Sequence, residues 1–248
     1  MGALERGRTV VVVPTGAIEQ HGPHLPLDTD AYLCSRVVEA AAERASPMGP
    51  VLVTPTACFG WSEHHMAFPG TMTLGPATFR QAVTEICVSL ARHGLRRQLV
   101  VNGHGGNSAL LAAVVQQLGF EVPVHAVAVD YWALAADVVA DVRESPLGGM
   151  GHACEFETSL MLHLRPESVR GDRIAREIAQ PRYESECFDL FERAGIRAHW
   201  KTHEVSRSGV MGAPDLATEE KGRRLFEACV QGLAALIEEL RGVPLPSE

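Results

Sequence analysis

Histidine, aspartate and glutamate residues concentrate in four short segments of this 248-residue chain. Imidazole nitrogens and carboxylate oxygens are groups that bind zinc, manganese and iron, and the same groups transfer protons during hydrolysis. The residue types therefore point to a metal centre with acid–base chemistry. The segments are 16–24 (GAIEQHGPH), 28–30 (DTD), 102–107 (NGHGGN) and 152–157 (HACEFE).

Two predicted helices each carry a carboxylate that helical spacing places on the side facing the protein interior. Asp30 shares a helical stripe with Leu33, and Glu157 shares a stripe with Leu160. Glu155 is turned about 200° away from Glu157 around the second helix, at about 100° per residue. We therefore expect Glu157 to serve the site and a Glu155→Gln change to have little effect.

The inward-facing carboxylates admit two interpretations. Acidic residues are common in the first turn of a helix, where they interact favourably with the helix dipole, and this explains either residue alone about as well as metal binding does. A buried carboxylate must otherwise be paired, protonated or bound to metal, because an isolated buried charge is very costly. The two together, with Glu19, His21 and His104, favour a metal site.

Two loops carry weaker signals. The glycines around His104 predict a tight strand-to-helix turn, which also lets the backbone approach a bound group, and they lack the spacing of a phosphate-binding loop. The loop 61–71 (WSEHHMAFPGT) combines aromatic residues with His64 and His65, which predicts a wall of a substrate pocket. A solvent-exposed histidine pair is an equal alternative. Cys154 is interpreted as a small apolar residue rather than a nucleophile.

The four segments lie where predicted strands end and helices begin. Apolar strand signals at 10–13, 51–53, 98–101 and 122–129 alternate with helical periodicity at 30–44, 76–93 and 107–118, followed by helices at 155–164 and 218–240. This alternation predicts an α/β fold with a mainly parallel sheet covered on both faces. Ligands of such sheets bind at the carboxyl ends of the strands, where three of the segments lie. Residues 170–214 predict loops and short elements packed over a single domain, 1–248.

Composition excludes several function classes. The 22 basic and 30 acidic side chains give a net charge of −8, which argues against nucleic-acid binding, and the 46% hydrophobic content argues against a disordered chain. No apolar run reaches the roughly 20 residues of a membrane span, and we expect no signal peptide in the first residues. The six cysteines are dispersed, which predicts reduced thiols in a cytoplasmic protein.

Several ordered motifs resemble those of the creatininase (creatinine amidohydrolase) family over nearly the whole chain. They are 16–24 with Asp30 downstream, 68–71 (FPGT), 102–107, His152 with 156–162 (FETSLML), and 209–214 (GVMGAP) before 220–222 (EKG). The resemblance implies a three-layer α/β/α fold with a buried divalent-metal site, often binuclear. It also implies hydrolysis of a non-peptide, usually cyclic, amide-type C–N bond of a small molecule, by a homo-oligomer that is commonly a homohexamer.

By position, the resemblance also implies the roles of individual residues. Five match metal ligands, with the aspartate bridging two ions of zinc, manganese or iron: Glu19, His21, Asp30, His104 and Glu157. Catalysis is assigned to metal-activated water together with Glu157 and His152, the latter protonating the leaving nitrogen. The carboxylates of Glu155 and Glu157 favour the charged form of His152 near neutral pH, whereas the charge of the metal opposes it. Substrate contacts are assigned to Trp132, which matches an aromatic residue that closes over substrate, and to His65, Gly105, Gly106 and Asn107.

Two departures from true creatininases concern the substrate. Creatininases carry Tyr and Glu where this chain has Gly105 and Gly106, and that Glu is a metal ligand there, so Glu157 is the natural replacement. They also carry a second tryptophan where this chain has 147–151 (LGGMG). These departures favour a substrate other than creatinine. Other branches cleave a mycofactocin-type precursor peptide, deformylate a formamidopyrimidine or hydrolyse a cyclic inosose, and a non-catalytic, metal-stabilised binding subunit is a further alternative.

Overall fold

A computed structural model describes residues 7–192, 196 and 198–247 of the chain. Four strands of this part form the central sheet: β1 (Val10–Thr15), β2 (Val51–Val53), β3 (Arg97–Asn102) and β4 (His125–Asp130). They pair in parallel in the order β2–β1–β3–β4. Every residue of β1 and β3 is buried, as expected for parallel strands that are covered on both faces.

Helices cover both faces of the sheet and complete the expected three-layer α/β/α arrangement. They are α1 (Thr29–Ala45), α2 (Pro76–Arg92), α3 (Ser108–Glu121), α4 (Ala136–Val142), α5 (Glu155–Leu164), α6 (Thr202–Val205) and α7 (Glu219–Gly242). Val10 and Val12 of β1 pack with α1, α5 and α7, whereas Val11 and Val13 pack with α2 and α3 on the opposite face. Alternate strand residues therefore supply two separate apolar cores.

Most predicted elements agree with the structure within a few residues, and the differences have local causes. β4 begins at His125 rather than at residue 122, because Val122 still caps α3 through its N–H and Pro123 has no N–H to donate. The short helix α4 and a two-stranded antiparallel sheet were not predicted. This small sheet pairs β5 (Met150–His152) with β6 (Met211–Gly212).

The segment 170–214 consists of loops and short elements, as expected, apart from 193–195 and 197, which lie outside the described residues. Residues 1–6, on which the signal-peptide expectation partly depends, lie outside them too. No helix in the described part of the chain is long and apolar enough to cross a membrane. All six cysteines are free thiols, and four of them are buried: Cys34, Cys87, Cys154 and Cys229.

Candidate metal centre

The predicted site residues converge at the carboxyl ends of the neighbouring strands β1 and β3. Glu19 and His21 follow β1, His104 follows β3, and Asp30 lies in the first turn of α1. Gly103 permits this approach, because a Cβ atom there would lie 2.7 Å from both the carbonyl oxygen of Asp30 and a side-chain atom of Cys34. Ligands of open α/β sheets bind at such a point, where the chain leaves adjacent strands in different directions.

Asp30 lies between two histidines and uses a different oxygen toward each. Its Oδ1 is 3.0 Å from Nε2 of His21, and its Oδ2 is 3.0 Å from Nδ1 of His104. Glu157 Oε1 is 3.8 Å from the same nitrogen of His21, and Glu19 Oε1 is 3.3 Å from the same nitrogen of His104. The five residues therefore form two adjacent clusters that share one carboxylate.

Backbone carbonyl groups fix the orientation of both rings. His21 Nδ1 lies 3.1 Å from the carbonyl oxygen of Glu19, and His104 Nε2 lies 3.1 Å from that of Trp61. A hydrogen bond from each of these nitrogens leaves the other ring nitrogen facing the carboxylates. This is the arrangement that orients metal-binding histidines in proteins.

Three buried carboxylate oxygens at the centre of the site accept no hydrogen bond of good geometry, although histidine nitrogens lie 3.0–3.5 Å from two of them. They are Oε1 and Oε2 of Glu19 and Oδ2 of Asp30. Such atoms are costly unless a cation compensates them. The clusters His21–Asp30–Glu157, Glu19–His64–His104 and Glu19–His21–His152 each bring three donor atoms within 4.8 Å of one another. The donor set and its orphaned oxygens therefore fit a divalent metal.

The carboxylates hold protons on the two histidines when no metal competes. Burial disfavours the charged ring, but Glu19 and Asp30 outweigh it and raise the pKa of His104 to about 10. Burial likewise opposes the charge on His21, yet Asp30 and Glu157 raise the pKa of its ring well above the ordinary value. Protons and a divalent ion therefore compete for the same nitrogens, and metal binding releases protons.

His152 differs from these two histidines in its protonation. Its Nε2 lies 2.7 Å from the carbonyl oxygen of Gln20, and its Nδ1 lies 3.5 Å from Glu19 Oε1. Burial, together with the charge of His21, lowers the pKa of His152 to about 4. In the metal-free site, burial and the His21 charge therefore favour the neutral ring of His152 over the expected imidazolium.

Glu155 is buried outside the metal clusters, so a change there is expected to affect stability rather than metal binding. Its carboxylate accepts the N–H groups of Glu144 and Ser145 at 3.2 and 3.0 Å and lies 2.6 Å from Nζ of Lys221. The helix face opposite Glu157 is covered by α7, which carries Lys221. The helical period placed Glu155 correctly relative to Glu157, but it could not indicate that a second helix buries that face.

Two of the five predicted substrate contacts have structural partners instead. The ring of His65 is buried, with Nδ1 2.8 Å from Thr202 Oγ1 and Nε2 3.3 Å from Glu19 Oε1. The buried amide of Asn107 accepts the N–H of Trp61 at 3.0 Å and donates to the carbonyl oxygen of Gly16 at 3.1 Å. Both side chains therefore hold the site together, because their polar groups are occupied by protein.

The other three predicted substrate contacts lie in different surroundings. Trp132 is buried in the apolar core, where its ring packs edge-on against Tyr131. A Cβ atom on Gly106 would collide with His104, whereas one on Gly105 would meet no atom within 4 Å. Of these three, Gly105 is the position that is exposed and open to a ligand.

Gln20 is a part of the site that the sequence analysis missed. Its side-chain nitrogen lies 2.7 Å from His65 Nδ1 and 3.1 Å from the carbonyl oxygen of Gly209. It thereby connects the loop after β1 to the loop that precedes β6. Its position between Glu19 and His21 was the available signal.

Known proteins resemble this chain along most of its length. The family model described as creatinine amidohydrolase matches residues 1–237. A mycofactocin precursor peptide peptidase from Mycobacterium ulcerans is 34% identical over 92% of this chain and 84% of its own length. A creatinine amidohydrolase from Pseudomonas putida is 32% identical over 94% of this chain and 90% of its own length.

Solved creatininase structures share the fold. A manganese form superposes with a TM-score of 0.80 at 31% identity and covers 96% of this chain and 93% of that chain. A zinc–zinc form superposes with a TM-score of 0.79 at 31% identity and the same coverage. The chain belongs to the creatininase family of hydrolases.

Proposed function

We propose that this chain hydrolyses a non-peptide, cyclic amide-type C–N bond with two divalent metal ions. The observation that carries the proposal is the position of Asp30, whose two oxygens each lie 3.0 Å from a different histidine nitrogen. A carboxylate that joins two ligand clusters in this way suits a pair of ions that act on one substrate.

The two clusters divide the ligands between the ions. Glu19, Asp30 and His104 would hold one ion, and His21, Asp30 and Glu157 would hold the other. A bound pair of this kind supplies Lewis acidity and water of lowered pKa. The unpartnered oxygens of Glu19 and Asp30 support this division, because they lie where a cation would offset their burial. Zinc and manganese, present in the solved creatininases, both suit these ligands, as does iron.

His152 moves the proton in this proposal. The carbonyl of Gln20 holds its Nε2 proton, so Nδ1 carries a lone pair that faces Glu19. Nδ1 accepts a proton from the water that attacks the carbonyl carbon and returns it to the nitrogen as the C–N bond breaks. The products are a carboxylic acid and an amine, and for a cyclic amide the two remain in one molecule.

The burial of the site favours a small substrate. Among the five ligands and His152, no residue is more than 8% exposed. The place of the creatininase Tyr–Glu pair is taken by Gly105 and Gly106, which favours an amide other than creatinine. The similarity to a creatinine amidohydrolase supports a small cyclic amide as the substrate class.

A precursor peptide is the second candidate substrate. It is favoured by the mycofactocin precursor peptide peptidase that is 34% identical over 92% of this chain. A peptide must bring its scissile bond to the same buried ligands, so this candidate needs the loops above the site to open.

Activity assays on metal-loaded and chelator-treated protein test the proposal. Purified protein would be loaded with zinc or manganese and assayed against a panel of cyclic amides, with a mycofactocin-type precursor peptide in parallel. We expect turnover of a cyclic amide that a chelator abolishes and added metal restores. Turnover of the peptide alone would support the second candidate, and metal-bound protein without hydrolysis of either substrate class would contradict the proposal.

A further inference from the structure

His64 lies beside the proposed metal cluster but has no role in the argument so far. It occupies the short 3-10 turn Glu63–His65, and its ring stacks on His104 with centroids 5.6 Å apart and planes 11° apart. One ligand atom of His64 lies within 4.8 Å of those of Glu19 and His104. Neither ring nitrogen makes a hydrogen bond or ion pair with any residue that the structure describes.

The donor atom of His64 lies close to the distance at which it could bind the same ion as Glu19 and His104. Zinc lies about 2.0–2.2 Å from nitrogen and oxygen ligands, so two ligand atoms of one ion are separated by about 3–4 Å. The donor atoms lie at most 4.8 Å apart, so any excess over a ligand separation is no more than about 1–2 Å, within the reach of a rotation of the His64 side chain. The cluster formed by Glu19, Asp30 and His104 offers three ligands, one fewer than a tetrahedral ion uses.

Aromatic packing holds His64 toward this cluster. Trp200 places its ring edge-on against His64, with centroids 4.9 Å apart, and itself packs against Phe188 at 5.3 Å. The next residue, His65, is tied to Gln20 and Thr202 on the other side of the turn. The ring contacts of His64 with Trp200 and His104 therefore limit how far the His64 ring can turn toward solvent.

We propose that His64 is a fourth protein ligand of the ion held by Glu19, Asp30 and His104. The inference rests on the proposed metal site but concerns a residue outside the ligand set that the family resemblance implies. An imidazole that reaches the ion from this loop makes the coordination of one ion depend on residues 61–71. The other ion, between His21 and Glu157, keeps its ligands whether or not His64 binds.

Metal-binding measurements on His64→Ala, with His203→Ala as the matched control, test the inference. His203 is an exposed histidine on α6 with no place in the site. We expect His64→Ala to weaken zinc binding at one of two sites by about 10–100-fold in a chelator competition, while His203→Ala matches wild type. The visible absorption of cobalt-substituted protein should change in His64→Ala, and added imidazole should restore it.

The outcomes separate this inference from the proposed function. Wild-type protein that binds two ions, with an unchanged zinc affinity and cobalt spectrum in His64→Ala, would overturn the ligand role of His64 alone. Wild-type protein that binds no stoichiometric metal would overturn both. Circular dichroism monitors folding, and His64→Gln provides a second variant that retains a polar side chain. The inference requires the loss of affinity in both variants.

Discussion

A Cβ atom on Gly106 would lie 2.4 Å from Nε2 of His104 and 2.5 Å from the carbonyl oxygen of Trp61. These are the two atoms that lie 3.1 Å apart in the contact that orients the His104 ring. A side chain at residue 106 therefore cannot coexist with the observed position of His104.

Gly106→Ala should displace His104 and weaken metal binding on its side of the site. Overpacking of this kind costs about 1–3 kcal/mol of folding stability, and the ring can relieve it by moving away from its backbone partner. Gly105→Ala is the matched control, because a Cβ atom there would meet no atom within 4 Å. Metal content and thermal unfolding would be measured for both variants. Equal metal content in the two would contradict the role assigned to this contact.

Glu157→Gln and Glu155→Gln should fail in different ways. Glu157 faces His21, so its replacement should lower metal content and activity. Glu155 holds Lys221 and two backbone N–H groups, so its replacement should leave the metal in place and lower the free energy of unfolding by about 1–3 kcal/mol. Urea denaturation and metal analysis distinguish the two effects. If Glu155→Gln lost metal and Glu157→Gln kept it, the metal-binding role would belong to Glu155 instead of Glu157.

Glu155 and Glu157 also mark the limit of what the sequence could predict. Helical period placed them on different faces, and the strand-to-helix boundaries placed Glu19, His21 and His104 at one edge of the sheet. Those predictions succeeded because local periodicity determines which way a side chain points. The burial of Glu155 could not be predicted from local sequence, since it depends on Lys221, 66 residues away in the chain.

The loop residues around the site were predicted less well for a similar physical reason. His65 and Asn107 were expected to contact substrate, but their polar atoms bond to side chains and backbone from distant segments. Such partners are set by how the loops pack over the sheet, and no local pattern encodes this. The small β5–β6 sheet was missed because strands of three and two residues carry no periodic signal.

His152→Ala should retain metal and fold but lose catalytic rate. A positioned acid–base group contributes roughly 10²–10⁴-fold to the rate, so kcat should fall by that factor. The loss should be smallest for amides whose leaving nitrogen is weakly basic, because those need less protonation. Steady-state kinetics across a series of leaving groups, together with metal analysis, provides the test. A variant that loses an ion would make His152 a ligand, and one with full activity and metal would require another proton carrier.

The metal content of Asp30→Ala, measured beside wild type and Asp28→Ala, tests the central claim most directly. Asp28 pairs with Arg165 at the protein surface and is a neighbouring carboxylate without a place in either cluster. Plasma mass spectrometry after loading with zinc should find two ions per chain in wild type and Asp28→Ala. Asp30→Ala should lose both ions, because the two clusters share this carboxylate. Retention of two ions, or loss of only one, in folded Asp30→Ala would contradict the bridged two-metal site.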